Sequence, residues 1–139
     1  MIRCRRVYEP ASETDGQRVL VDRLWPRGCR KDSLALAAWL PDAAPSTALR
    51  QAFKAGTLDY AEFRRRYQKE LGARPEHWWP LLAMAERGPL TLLYAARDEQ
   101  QNNAQVLAEW LEDEMQRLGR PCSPACLAGE LGGMINDDG

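Results

Sequence analysis

Val19-Leu20-Val21 runs without polar interruption into Asp22-Arg23-Leu24-Trp25-Pro26-Arg27-Gly28, and this junction limits the possible folds more than any other stretch of the chain. Branched apolar residues with no polar alternation suit a strand covered on both faces, as in a parallel sheet. Pro26, which has no N–H to give to a ladder, and Gly28 forbid its extension. The strand, taken as about residues 18–24, therefore opens into charge at its carboxyl end. In open α/β sheets that end is where ligands bind, so Asp22, Arg23 and Arg27 form the first candidate site.

A second run of the same kind, Leu90-Thr91-Leu92-Leu93-Tyr94-Ala95-Ala96, also ends in charge, at Arg97-Asp98-Glu99. Ile2, Cys4 and Val7 alternate loosely with Arg3, Arg5 and Arg6 and predict a first strand over 2–7, its arginines facing solvent or an anion. Between these runs the period changes. Asp32 or Ser33 is placed to cap a short helix through Leu34, Leu36, Ala37, Trp39 and Leu40, stopped by Pro41. Pro45-Ser46 starts another, with Leu49 and Phe53 four residues apart and Gly56 as its stop. Tyr60, Phe63, Tyr67 and Leu71 mark an amphipathic helix whose outer face carries Arg64, Arg65, Arg66 and Lys69, ending at Gly72. Pro80 requires a kink within 75–87 or a helix that begins there. A last helix is predicted from about Asn102 to Leu118, closed by Gly119 and Pro121.

Strands separated by helices imply parallel crossovers. The expected fold class is α/β: a small, mostly parallel sheet of three or four strands with helices packed around it, the fourth strand having no clear place in the sequence. The 139 residues suit one domain, taken as 1–121, with 122–139 as a flexible C-terminal tail. A charged fraction of 28% that nets to −1 argues against a protein whose task is to coat nucleic acid. No apolar run approaches a membrane span. Cys4, Cys29, Cys122 and Cys126 are too scattered for a disulfide scaffold, and with no secretory leader in Met1-Ile2-Arg3-Cys4-Arg5-Arg6 the expected location is the cytoplasm.

If the two strong strands are parallel, their carboxyl ends bring Asp22, Arg23 and Arg27 to the same edge as Tyr94, Arg97 and Asp98. Arginine forks match phosphate and carboxylate geometry, and a helix N-terminus just after Asp98 would add backbone N–H donors. Ser46 and Arg50 extend the patch. The expected ligand is a small anion, phosphorylated or nucleotide-like, and the competing reading is that these charges are structural ion pairs, such as Asp22 or Asp98 with Arg27. Asp22 and Asp98 form a carboxylate pair only if they face each other.

Other chemistry has thinner support. His77 is the lone histidine, beside Trp78-Trp79 and away from both charged loops in this reading, which disfavours a Ser-His or Cys-His machine. Cys29 follows Arg23 and Arg27 closely enough for a lowered thiol pKa, but reads first as an incidental small residue. Cys122 and Cys126 have zinc-compatible spacing without a second pair. Glycine-rich phosphate loops are absent, and the residues name no cofactor. An alternative function is a non-catalytic module that binds protein or nucleic acid through the basic row at Arg64, Arg65 and Arg66, a pattern that is more often a solvated helix face.

Taken together, Arg6-Val7-Tyr8, the Val19–Gly28 string, Ala44-Pro45-Ser46 with Leu49-Arg50, Phe63 with Arg66-Tyr67, and Leu92–Asp98 resemble the YeaO-like branch of the domain-of-unknown-function 488 family over about residues 1–118. The resemblance implies a small bacterial cytoplasmic α/β protein and carries no assigned activity. It implies shared polar positions at Asp22, Arg23, Arg27, Ser46, Arg50, Tyr94, Asp98 and Asn102. Members usually have Asn-His where this chain has Asn102-Asn103, and a wider branch has a cysteine where Tyr94 stands. Thiol or histidine chemistry in such relatives thus loses its reagents here.

Overall fold

The computed structural model describes residues 2–30 and 34–118. Four parallel strands, β1 (Ile2–Arg6), β2 (Gln17–Leu20), β3 (Ala38–Trp39) and β4 (Leu90–Tyr94), form one sheet in the order β1-β4-β2-β3. β4 enters between β1 and β2, so Ile2 and Gln17 flank Leu90, and the pairing runs on to Arg6 beside Tyr94 and Leu20 beside Leu93. Every residue of β4 is buried, which is the physical reason for its lack of polar alternation.

The two faces of the sheet are covered differently. Val19, Leu90, Leu92 and Tyr94 face a core to which four helices of the described residues contribute. These are α1 (Thr47–Lys54), α2 (Tyr60–Ala73), α3 (Trp79–Arg87) and α4 (Asn103–Arg117). Leu20 and Leu93 point to the other face, where Val7, Trp25 and Leu36 from loops, together with Leu34, cover them. On that face Asp15 accepts hydrogen bonds from Arg5 on one carboxylate oxygen and from Arg18 on the other, while Arg18 also donates to Leu34 O and Thr91 Oγ1 to Asp15 O. Gly16 makes this corner possible, because its φ is +64° and a Cβ there would lie 2.5 Å from Pro89 O.

Several boundaries differ from the sequence expectation. The helix expected through Leu40 does not extend past Leu34: Ala35 has φ of 50° and Ala38–Trp39 pairs with Val19–Leu20 as the edge strand β3. A seven-residue apolar run fits either period, and the open edge of β2 supplies the hydrogen bonds that decide it, including Ala37 N–H to Arg18 O and Leu40 N–H to Leu20 O. The cap expected at Asp32 or Ser33 lies outside the described residues. β2 ends at Leu20 rather than Leu24, although Val21 N–H still bonds Leu93 O. Gly72 does not end α2 but lies within it, where a Cβ would stand 3.5 Å from Trp110 of α4. Pro80 sits in the first turn of α3, after a separate 3-10 turn over Pro75–His77. The tail expected over 122–139 lies outside the described residues. Among the described residues no helix is long and apolar enough to cross a membrane.

Candidate functional site

Because all four strands run the same way, the segments that follow them converge on one edge. There they line an open cleft of about 800 Å³, within the roughly 300–1,000 Å³ usual for small-ligand sites. Tyr8 arrives from β1, residues 22–27 from β2, Ala44 and Pro45 from the segment after β3, and 95–97 with Gln101–Asn103 from β4. α1 adds Arg50, Phe53 and Lys54.

Asp22 is the anchored acid of this edge. One carboxylate oxygen accepts the Ala95 N–H at 2.9 Å and the other the Asn103 amide at 3.2 Å, and that amide also donates to Val21 O. Burial pushes the Asp22 carboxyl above the usual carboxylate range, with the Ala95 N–H, the Asn103 amide and the Arg50 charge pulling partly back.

The arginines fall into two kinds. Arg23 donates to Pro45 O and Ala44 O and lies 3.6 Å from Asp42, so its guanidinium holds the segment entering α1. Arg27 stands in the Pro26-Arg27-Gly28 turn, where Gly28 has φ of +80° and Cys29 N–H closes back on Pro26 O. Its carbonyl accepts the Tyr8 hydroxyl, and its side chain is exposed. Among the described residues, none of Arg27, Arg50, Lys54 and Arg97 has a carboxylate within ion-pair distance. The ion pairs of the competing reading, Arg27 with Asp22 or Asp98, do not form.

Of the residues expected at the site, Asp22, Arg23, Arg27, Arg50, Arg97 and Asn102 line the cleft. Asn102 is fully engaged: it caps α4 by accepting Gln105 N–H, donates to Asp98 O, and offers its own carbonyl to the Tyr60 hydroxyl. Asp98 stands outside, closing its loop by accepting the N–H groups of Gln100 and Gln101, which hold its carboxyl below the usual range. It shares no partner with Asp22, so the two do not act as a pair. Tyr94 is 2% exposed and belongs to the core, and burial raises its hydroxyl pKa. Ser46 caps α1 and donates to Glu70 at 2.6 Å, within a separate groove of about 320 Å³. His77 lines that groove together with Arg23, so it is not remote from the charged loops as its sequence position suggests.

Lys54, Asn103 and the aromatic walls Trp25 and Phe53 escaped the sequence reading. Arg50 and Lys54 are four apart, hence on one face of α1, and that spacing was the available signal. Cys29 packs against the loop-covered core and offers its carbonyl to the Trp25 indole, outside the cleft lining. The basic row of α2 is already paired: Arg64 with Glu109 at 2.8 Å, Arg65 and Arg66 with Glu62 at 2.6 and 2.7 Å. Hydrogen bonds from Arg65 and Arg66 bring the Glu62 carboxyl down to about 2. Among the described residues no three His, Cys, Asp or Glu side chains are grouped to hold a metal ion. Cys122 and Cys126 lie outside those residues.

The family model described as the inactive DUF488-N3 subclade matches residues 1–128, ten residues beyond the stretch covered by the recognisable motifs. The chain is similar to the uncharacterized protein YeaO of Escherichia coli K12, with 51% identity over 110 residues, covering 79% of this chain and 96% of that one. It is 41% identical over 113 residues to uncharacterized proteins of Mycobacterium bovis and Mycobacterium tuberculosis H37Rv, covering 79% of this chain and 92% of each. No solved structure matches it.

Proposed function

Since the chain belongs to the domain-of-unknown-function 488 family, in its inactive DUF488-N3 subclade, we propose that it binds a small anionic ligand at the carboxyl edge of its sheet and does no chemistry on it. One observation carries this reading: Arg27, Arg50, Lys54 and Arg97 line a single cleft, and no carboxylate pairs with them among the described residues. Four cations gathered without an ion-pair partner outnumber the Asp22 carboxylate beside them and lower the energy of an incoming anion, and the arginines among them can grip it bidentately. The absence of chemistry has its own support. Tyr94, where the resemblance puts a cysteine in a wider branch, is packed in the core, and Asn103, where it puts a histidine, orients Asp22 without a group that titrates near neutral pH. The free thiols of Cys4 and Cys29 are in keeping with a cytoplasmic setting. Binding through the α2 row has less to recommend it, since Arg64, Arg65 and Arg66 each already hold a carboxylate.

Isothermal titration with pyrophosphate tests the proposal. Wild type is expected to bind, more weakly as salt rises, and Arg50→Ala to lose about tenfold or more in affinity. Equal affinity in wild type and Arg50→Ala, or no binding at low salt, would remove the cleft from consideration. Phosphorus NMR of the mixture should show the pyrophosphate intact after prolonged incubation, and its hydrolysis would return the protein to the enzymes.

A further inference from the structure

The cleft holds more than an anion needs, and the acid in its described lining, Asp22, is placed where a bare anion is poorly served. Its volume of about 800 Å³ far exceeds a phosphate group, and Trp25 and Phe53, both half-buried, give it apolar walls. Trp25 is fixed by its indole bond to Cys29 O and an edge contact with Trp39 at 5.3 Å between ring centroids. Phe53 is stacked on Phe63 at 4.4 Å. Rigid aromatic walls of this kind suit a flat ring, which stacks on them whatever its hydrogen-bonding pattern.

Asp22 supplies the second constraint. Its two oxygens take one N–H each, from Ala95 and Asn103, which leaves a carboxylate with further lone pairs at the cleft lining. A ligand that covers those lone pairs without donating to them strips an acceptor of water for no return, and a pure anion adds like-charge repulsion. A hydroxyl donor turns the same contact into a charge-assisted hydrogen bond.

We propose that the occupant is a nucleoside phosphate, with its phosphate on the cations, its base beside Trp25 and Phe53, and a sugar hydroxyl donating to Asp22. This rests on the anion reading above and narrows it to ligands that carry a charge, a flat ring and a hydroxyl donor together. The carboxylate acts as a selector against phosphate itself and against phosphates without a free hydroxyl.

Calorimetric titrations of the full chain with pyrophosphate, ribose 5-phosphate, AMP, GMP, CMP and UMP, and the 2′,3′-dideoxy form of whichever nucleotide binds best, separate the two claims. At least one nucleotide should bind about tenfold or more tightly than ribose 5-phosphate. Its dideoxy form should lose about tenfold in wild type, but less than about twofold in Asp22→Asn, where the charged acceptor is already gone. Should Asp22→Asn fail to fold, the comparison of the two nucleotides on wild type decides alone. Equal binding of the nucleotide and its dideoxy form to wild type overturns the role of Asp22. Nucleotides no tighter than pyrophosphate overturn the nucleoside inference and leave the anion reading standing, whereas no binding by pyrophosphate or by any nucleotide sinks both.

Discussion

Asp15 and Asp22 stand on the same small sheet and show what separates charge that holds a fold from charge left open. On the loop-covered face, Asp15 has no solvent exposure, and both its oxygens are occupied by arginines, of which Arg18 is itself 4% exposed. The Ser12 N–H completes the set. At the carboxyl edge, Asp22 is held by neutral N–H donors instead, and Arg27, Arg50, Lys54 and Arg97 around it form no ion pair among the described residues. A closed network ties two strands to a loop. An open one is what the proposed anion would complete.

The sharpest way to break this contrast is Asp15→Ala, which leaves Arg18 buried beside an empty corner. Losing one partner of a buried pair strands the other charge, and a loss of about 3–5 kcal/mol in stability is expected from urea denaturation. An unchanged midpoint would mean that the network is incidental.

Arg27 should behave in the opposite way. Arg27→Ala is expected to stay within about 0.5 kcal/mol of wild type in stability, since its side chain pairs with nothing in the described structure, while affinity for pyrophosphate falls about tenfold or more. Arg27→Lys keeps the charge but loses the bidentate fork, so its affinity should lie between the two. A large loss of stability with unchanged affinity would move Arg27 into the scaffold.

Acid sharpens the contrast further, because the two aspartates respond with opposite sign. Burial pushes the Asp15 carboxyl up, but hydrogen bonds from Arg5, the Ser12 N–H and Arg18 together take it below the usual range. Its contribution is therefore present above the ordinary aspartate value of about 3.9 and is lost as pH falls through the lower folded value. The Asp22 carboxyl is raised, chiefly by burial, so the folded state takes up its proton first. That contribution is complete below about pH 3.9 and is lost as pH rises through the folded value. Measured by denaturant midpoint, wild type should gain stability relative to Asp22→Asn as pH drops from neutral towards about 4. A parallel pair of pH profiles would contradict the assignment.

The smallest effect is expected at Arg65. Its partner Glu62 also holds Arg66, and exposed pairs contribute little. Arg65→Ala should leave both pyrophosphate affinity and the melting temperature at wild-type values. A fall in affinity as large as that of Arg27→Ala would favour the helix surface over the cleft.

The sequence made the two buried strands and the convergence of their charged ends legible, because β4 and the centre of β2 are covered on both faces and so carry no polar alternation to confuse the pattern. The helix starts at Ser46 and Pro80 were legible through chemistry local to each turn. What escaped depended on distant partners. β3 is strand only because β2 offers it an edge, and Gly72 stays helical because Trp110 of α4 packs against it. Within the site, Ser46 was misplaced because Glu70, 24 residues away, draws its hydroxyl into another groove. The row at Arg64–Arg66 was conspicuous and is neutralised, partly by Glu109 from α4. Arg27, the Arg50 and Lys54 pair of α1, and Arg97 lie far apart in the chain, and only the parallel topology gathers them.

A titration of isotopically labelled protein with pyrophosphate, followed through its backbone amide NMR signals, tests the central claim most directly. Saturable shifts are predicted for residues 22–28, 50–54 and 95–103, with the amides of 64–69 unmoved. Shifts centred on 64–69, or none at concentrations up to the millimolar range, would contradict an anion site at the carboxyl edge.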